Sequence, residues 1–131
     1  MNSKVALDTN SYRALDDGNE LLAAIVRSSA HLGVPITVLG ELYFGIFAGQ
    51  KQTDNLARLR RFLGSSRVEI LDIDEVTAKA FGEIASELRK IGRPIQQNDI
   101  WIDALCKQYG FSLATIDAGF SNITGLEIIS F

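Results

Sequence analysis

The chain is almost without histidine and cysteine: 131 residues contain one of each, His31 and Cys106. A lone cysteine excludes an internal disulfide. One His and one Cys at distant positions make zinc a poor candidate. They also leave no credible Ser-His-Asp or Cys-His nucleophile. Proline is scarce too, at two residues, and no linker, repeat or low-complexity segment interrupts the chain. No apolar run approaches the roughly 20 residues that span a bilayer. The apolar stretch behind Met1-Asn2-Ser3-Lys4 is too short for a signal peptide. Together these absences point to the cytoplasm and away from membranes. An excess of positive charge is also missing, since the net charge is −3 and the pI about 5.1. A sequence-reading DNA binder is normally basic, so a plain nucleic-acid-binding module is disfavoured. A nuclease is not, because a cluster of catalytic carboxylates itself pulls the total negative.

What is present suits one globular domain over residues 1–131, with 47% hydrophobic residues and length enough for a core. Val5-Ala6-Leu7 predicts a strand running into Asp8. Leu21, Leu22, Ile25 and Val26 have helical spacing, with Gly33 as the stop. Ile36-Thr37-Val38, after Pro35, reads as a second strand. Leu39, Leu42, Tyr43, Ile46 and Phe47 then mark one helix face, ended by Gly49. Leu56, Leu59 and Leu63 form another, closed by Gly64, and Val68 to Leu71 a third strand. Val76, Ala80, Ile84, Leu88 and Ile91 predict a long helix ending at Gly92, with Pro94 beyond it. Asp99 to Tyr109 is helical, Phe111 to Thr115 a buried strand and Leu126 to Ser130 a last one. Strands alternating with helices imply an α/β fold with a mainly parallel sheet.

Ligands of such sheets bind beyond the carboxyl ends of the strands. Asp8 directly follows the first strand, and Asp117 follows the strand ending near Thr115. Glu41 falls in the first turn of the helix after the second strand. Asp99 begins the helix before the Asp117 strand. Connectivity thus brings three acids to one edge, and the fourth reaches it from a helix start. Two carboxylates about 5 Å apart repel by roughly 3 kcal/mol at an effective dielectric near 20. Protons or a divalent cation must neutralise such a site. Oxygen-only ligands suit Mg²⁺ or Mn²⁺, which would activate a water and stabilise a pentavalent phosphate. Each acid also has a bland reading: Asp8 as a helix cap, Asp99 as a first-turn acid, Asp117 as a turn residue and Glu41 facing solvent. Convergence of all four by accident is the weaker explanation.

Four motifs, in order, resemble those of PIN domains. They are Val5-Ala6-Leu7-Asp8-Thr9-Asn10, Val38-Leu39-Gly40-Glu41-Leu42-Tyr43-Phe44-Gly45, Asn98-Asp99-Ile100-Trp101-Ile102 and Leu113-Ala114-Thr115-Ile116-Asp117-Ala118-Gly119-Phe120. The resemblance covers essentially the whole chain and is strongest to the toxin ribonucleases of bacterial VapBC-type toxin–antitoxin pairs. It implies a three-layer α/β/α fold and a Mg²⁺- or Mn²⁺-dependent endoribonuclease. It carries metal coordination onto Asp8, Asp99 and Asp117, with Glu41 as a ligand or water-positioning base. Asn10 and Thr115 would support them. It further implies a homodimer, an antitoxin partner and structured RNA substrates such as tRNA or ribosomal RNA. The chain departs from the pattern twice. Asp103 stands where a small residue is common, to bind metal through water, adjust the charge or face solvent. Ile116 stands where a polar or basic residue is frequent, which puts a substrate or antitoxin contact there in doubt.

The remaining residues divide more evenly. Arg58, Arg60, Arg61 and Arg67, and Arg89, Lys90 and Arg93, are either solvated helix ends or phosphate contacts. Tyr43, Phe44, Ile46 and Phe47 exceed what one helix face buries, leaving an interface or a sandwiched helix. Trp101 reads as core rather than base-stacking, Cys106 as a buried apolar group and His31 as a capping or surface residue. An aspartyl-phosphate phosphatase or a receiver domain also places an Asp after its first strand. The former wants a second Asp where Asn10 stands, the latter an acidic pair there, and both want a later Lys that is missing. The non-enzymatic alternative is a catalytically silent PIN fold used for RNA binding or interaction.

Overall fold

The computed structural model describes residues 4–93, 95–117, 119–120, 123 and 125–131. The proline expected beyond the long helix, Pro94, lies outside them, as does Ala118 of the fourth motif. The elements run β1 (Lys4–Leu7), α1 (Thr9–Asp16), α2 (Glu20–Ser28), β2 (His31–Pro35), α3 (Ile36–Ala48), α4 (Gln52–Leu63), β3 (Val68–Leu71), α5 (Glu75–Lys90), α6 (Gln97–Tyr109), β4 (Ser112–Ala114) and β5 (Ile128–Ile129). The five strands form one sheet in the order β3-β2-β1-β4-β5. Every pairing is parallel. Strands β1 and β4 are therefore neighbours although more than a hundred residues of chain separate them.

Alternation along β1 builds two layers of core. Val5 and Leu7 pack with Leu22, Val26, Leu32 and Ala114 under α1 and α2. Ala6 faces the other way, into a larger cluster with Val38, Leu42, Leu105 and Leu113 under α3 and α6. Period-two alternation in a strand covered on both faces requires this split, and it gives the three-layer α/β/α arrangement. On the larger side, α5 and α6 lie together. The Trp101 and Phe81 rings meet with centroids 4.2 Å apart, so Trp101 is a packing residue. The Tyr109 hydroxyl donates to the Asp72 carbonyl at 2.7 Å, tying the end of α6 to the approach to α5.

One boundary differs from expectation. The second strand is His31–Pro35, and Ile36-Thr37-Val38 is the first turn of α3. Three β-branched residues in a row favour a strand by propensity. Here the strand is already complete at Pro35, which pairs with Leu71, and the apolar period of Val38, Leu39, Leu42 and Ile46 draws the following residues into the helix. Gly33 accordingly ends no helix, since α2 stops at Ser28. It sits mid-strand because a Cβ there would lie 2.9 Å from Cε2 of Phe111 and 3.1 Å from Cδ1 of Leu71. Two further shifts concern the acids. Glu41 lies in the second turn of α3 rather than the first, and α6 begins at Gln97, two residues before Asp99.

The Phe111 ring is buried and cannot swing aside. Gly33→Ala is expected to destabilise by roughly 1–3 kcal/mol through overpacking. The check is a lower urea midpoint at unchanged m-value.

Candidate active site

The site begins where β1 stops. Asp8 leaves the strand in extended conformation and caps α1, its Oδ1 accepting from the Ser11 amide at 2.8 Å. The capping role expected as the bland reading is therefore real. The other oxygen is used as well: the Thr115 hydroxyl donates to Asp8 Oδ2 at 2.5 Å. Thr115 follows β4 and is buried, and its Oγ1 also accepts the Asp117 amide at 3.0 Å. One hydroxyl thus joins the ends of β1 and β4 and sets the backbone that carries Asp117. Asp117 turns its own Oδ1 back to the Gly119 amide at 2.8 Å, the turn role also foreseen for it.

Glu41 arrives from α3 and is exposed. The Thr9 hydroxyl, in the first turn of α1, donates to its Oε1 at 2.7 Å. Asp99 arrives from the first turn of α6. All four acids line one open cleft of about 810 Å³, with Thr9, Asn10, Arg13, Phe44, Gln96 and Asn98 among its walls. The electrostatics show their proximity. Burial, then the charges of Asp117, Asp8 and Glu41, push the Asp99 carboxyl from 3.8 up to about 6.

A model of the PIN domain matches residues 5–126 of the chain. Ribonuclease VapC2 of Haemophilus influenzae is 33% identical over 114 residues, 86% of this chain and 85% of that protein. The chain belongs to the PIN-domain family, within its VapC ribonuclease group. Ribonuclease VapC4 of Mycobacterium tuberculosis is 30% identical over 98 residues, 75% of each chain. The DNA-bound VapBC structure from Salmonella typhimurium superposes with a TM-score of 0.84 at 27% identity, covering 99% of this chain and 98% of that one.

Several residues of this PIN domain were not singled out by sequence. Thr9 stands beside Asp8 in the first motif, yet its partner Glu41 is 32 positions away, so only the folded chain shows the bond. Arg13 lies one turn past Thr9 on α1 and is the one cation among the described lining residues. Asn10 lines the cleft as expected, whereas Ile116 is exposed and outside the lining. The basic groups are partly structural. Arg58 pairs with Asp16 at 2.8 Å. Arg67 donates to the Val26 and Ser29 carbonyls at 3.0 and 2.5 Å, closing the end of α2. Cys106 is fully buried, and that burial raises its thiol pKa, which fits an inert apolar role. His31 opens β2 on the surface, away from the cleft lining.

Among the described residues, no three His, Cys, Asp or Glu side chains are drawn together as a ready cation cage. The donor set still fits a hard cation. It is all oxygen, its charges raise one member's proton affinity, and the cleft leaves room for water and phosphate. Mg²⁺ typically binds that way, through one or two carboxylates with the remaining positions taken by others.

Asp103 departs from the solvent-facing reading. It is 0% exposed and absent from the cleft lining. Both carboxylate oxygens lack a hydrogen-bond partner among the described residues. The Lys107 ammonium lies 3.8 Å from Oδ2. Burial outweighs that cation and raises the carboxyl from 3.8 to about 7. The folded state thus holds its proton more tightly than the unfolded chain. Stability declines as pH climbs from about 4 to about 7 and is level beyond. Asp103→Ala is expected to leave stability near pH 4 little changed and to raise it at pH 8 by roughly 1–3 kcal/mol. Melting curves at the two pH values check the sign.

Proposed function

We propose that this PIN domain, acting as one unit over residues 1–131, is a Mg²⁺- or Mn²⁺-dependent endoribonuclease and the toxin of a toxin–antitoxin pair. The observation that carries the proposal is the convergence of Asp8, Glu41, Asp99 and Asp117 on one cleft, where burial and the other three charges raise the Asp99 carboxyl to about 6. A fold that only bound RNA would gain nothing from concentrating negative charge where a phosphodiester must lie. The names of the relatives support the reaction class. The Salmonella structure, described as a DNA-bound VapBC, supports a partner protein. We infer a cognate antitoxin, a homodimer and a cytoplasmic setting, with structured RNA such as tRNA or ribosomal RNA as substrate. No helix among the described residues is long and apolar enough to cross a membrane.

In this reading Asp8, Asp99 and Asp117 hold the cation, and Glu41 is a further ligand or orients the attacking water. When bound, the ion supplies Lewis-acid charge at the scissile phosphate and lowers the pKa of the attacking water. Thr115 holds the Asp8 carboxylate in position between β1 and β4, and Thr9 does the same for Glu41. Such supporting hydrogen bonds fix the orientation of a ligand before the ion arrives. Asn98 and Gln96 line the cleft beside Asp99, where amide groups can meet the sugar-phosphate chain. Deprotonation of Asp99 is needed for it to act as a ligand, so cation binding should strengthen as pH rises through about 6.

The test uses purified chain free of partner, incubated with RNA and with Mg²⁺, Mn²⁺ or chelator. Cleavage should require the cation and fall on the order of a hundredfold or more in Asp99→Asn and Asp117→Asn. Asp8→Asn is a poorer probe, because an amide there would turn a donor toward the Thr115 hydroxyl or the Ser11 amide. Cation-independent cleavage, or full activity in both variants, would sink the site assignment. Binding should also be visible without RNA. A cation present at ten times its Kd adds about 1.4 kcal/mol to folding stability. Asp99→Asn should abolish that rise in Tm.

A further inference from the structure

Among its described lining residues the acidic cleft has one cation and one exposed aromatic ring, and the ribonuclease reading uses neither. Arg13 comes from α1 and Phe44 from α3. Phe44 is 75% exposed. It follows Glu41 by three residues, one helical turn, and helical side chains lean toward the preceding turn. Its ring is thereby set over the Glu41 side of the cleft. Its aromatic neighbours on α3 are engaged elsewhere: Tyr43 and Phe47 stack on each other with centroids 5.9 Å apart and planes 13° from parallel. Phe44 has no ring partner among the described residues.

Arg13 is placed by a gap in α3. A Cβ at Gly45 would stand 2.7 Å from an Arg13 terminal nitrogen. The missing side chain at 45 is therefore the seat of the guanidinium. Four acids line the same cleft, yet Arg13 forms no ion pair with any of them within 4.0 Å. Its donors remain available to something that enters. A planar cation and an aromatic face on the walls of one acid-lined cleft match the two halves of a nucleotide. Arg presents a fork of donors to phosphate, and an exposed ring stacks on an unpaired base.

We propose that Phe44 and Arg13 form a nucleotide subsite beside the four acids. Phe44 stacks on an unpaired base, and Arg13 holds the phosphate next to the one that is cut. The subsite rests on the ribonuclease reading and adds that the bound RNA is single-stranded at the cut. Gly45 is the positioning residue, acting through Arg13.

The experiment measures binding of an end-labelled pool of short single-stranded RNA of randomised sequence to the full chain, with Asp99→Asn preventing cleavage. Fluorescence anisotropy gives Kd across a salt series. Phe44→Ala should weaken binding on the order of tenfold, Phe44→Leu should be about as weak, and Phe44→Trp should bind as tightly as Phe44. Arg13→Gln should weaken binding and reduce the slope of log K against log salt by about 0.7, one phosphate contact on a single strand. In the cleavage-competent chain, Phe44→Ala should raise KM and leave kcat nearly unchanged. The exposed ring contributes little to folding, which unchanged melting of Phe44→Ala will confirm. Wild-type binding by Phe44→Ala, or by Phe44→Leu, would overturn stacking. An unchanged salt slope in Arg13→Gln would overturn the phosphate contact. If RNA is cleaved normally while these variants behave as wild type, only the subsite fails. If the unsubstituted chain neither binds nor cleaves RNA, the ribonuclease reading fails with it.

Discussion

The short hydrogen bond from Thr115 to Asp8 ties together the two strand ends on which the cleft is built. It joins the ends of two central strands whose neighbouring positions come from opposite ends of the sequence. Through Asp8 it sets the entry of α1, which carries Thr9 and Arg13. Through the amide of Asp117 it sets the loop after β4. The same carboxylate caps a helix and accepts the Thr115 hydroxyl, so its orientation does not depend on a ligand. Groups placed by the scaffold in this way lose little entropy when a ligand arrives.

The acids illustrate two separate sources of instability. Asp99 is raised by burial together with its neighbours' charges, and its cost is confined to a cleft where a cation can relieve it. Asp103 is raised by burial alone, against the pull of Lys107, and it lies outside the lining of that cleft. One helix therefore holds a carboxylate whose cost falls inside the acidic cleft and another whose cost the structure does not explain. Functional sites are commonly where local stability is sacrificed, and this distinction separates a candidate ligand from a merely buried acid.

Much of this was legible from residue order, for identifiable reasons. Strand β3 and the ends of α3 and α4 carry local signals, such as Gly49 and Gly64, and fell where the pattern placed them. The split between β2 and α3 did not, because Ile36-Thr37-Val38 favours a strand locally while the pairing of Pro35 with Leu71 completes β2 and the buried face of α3 claims the residues that follow. The convergence of Asp8, Glu41, Asp99 and Asp117 on one cleft followed from parallel connectivity, although Glu41 arrives a turn later in its helix than expected. Two things had no local signature. The burial of Asp103 depends on what packs over α6, which spacing from Asp99 does not reveal. The seat of Arg13 depends on a missing side chain 32 residues further along the chain.

The parallel sheet has a consequence for the life of the chain before it is complete. A hairpin site can form as soon as a short stretch is made. Here the partner of β1 is β4, and Thr115 and Asp117 follow Asp8 by more than a hundred residues. Until those residues leave the ribosome, Asp8 has no hydroxyl to orient it and the cleft lacks one wall. A growing chain that already displays Asp8, Glu41 and Asp99 is still without a finished centre. Strand order thus makes the cleft a late product of synthesis, assembled only after its last contributing strand has been made.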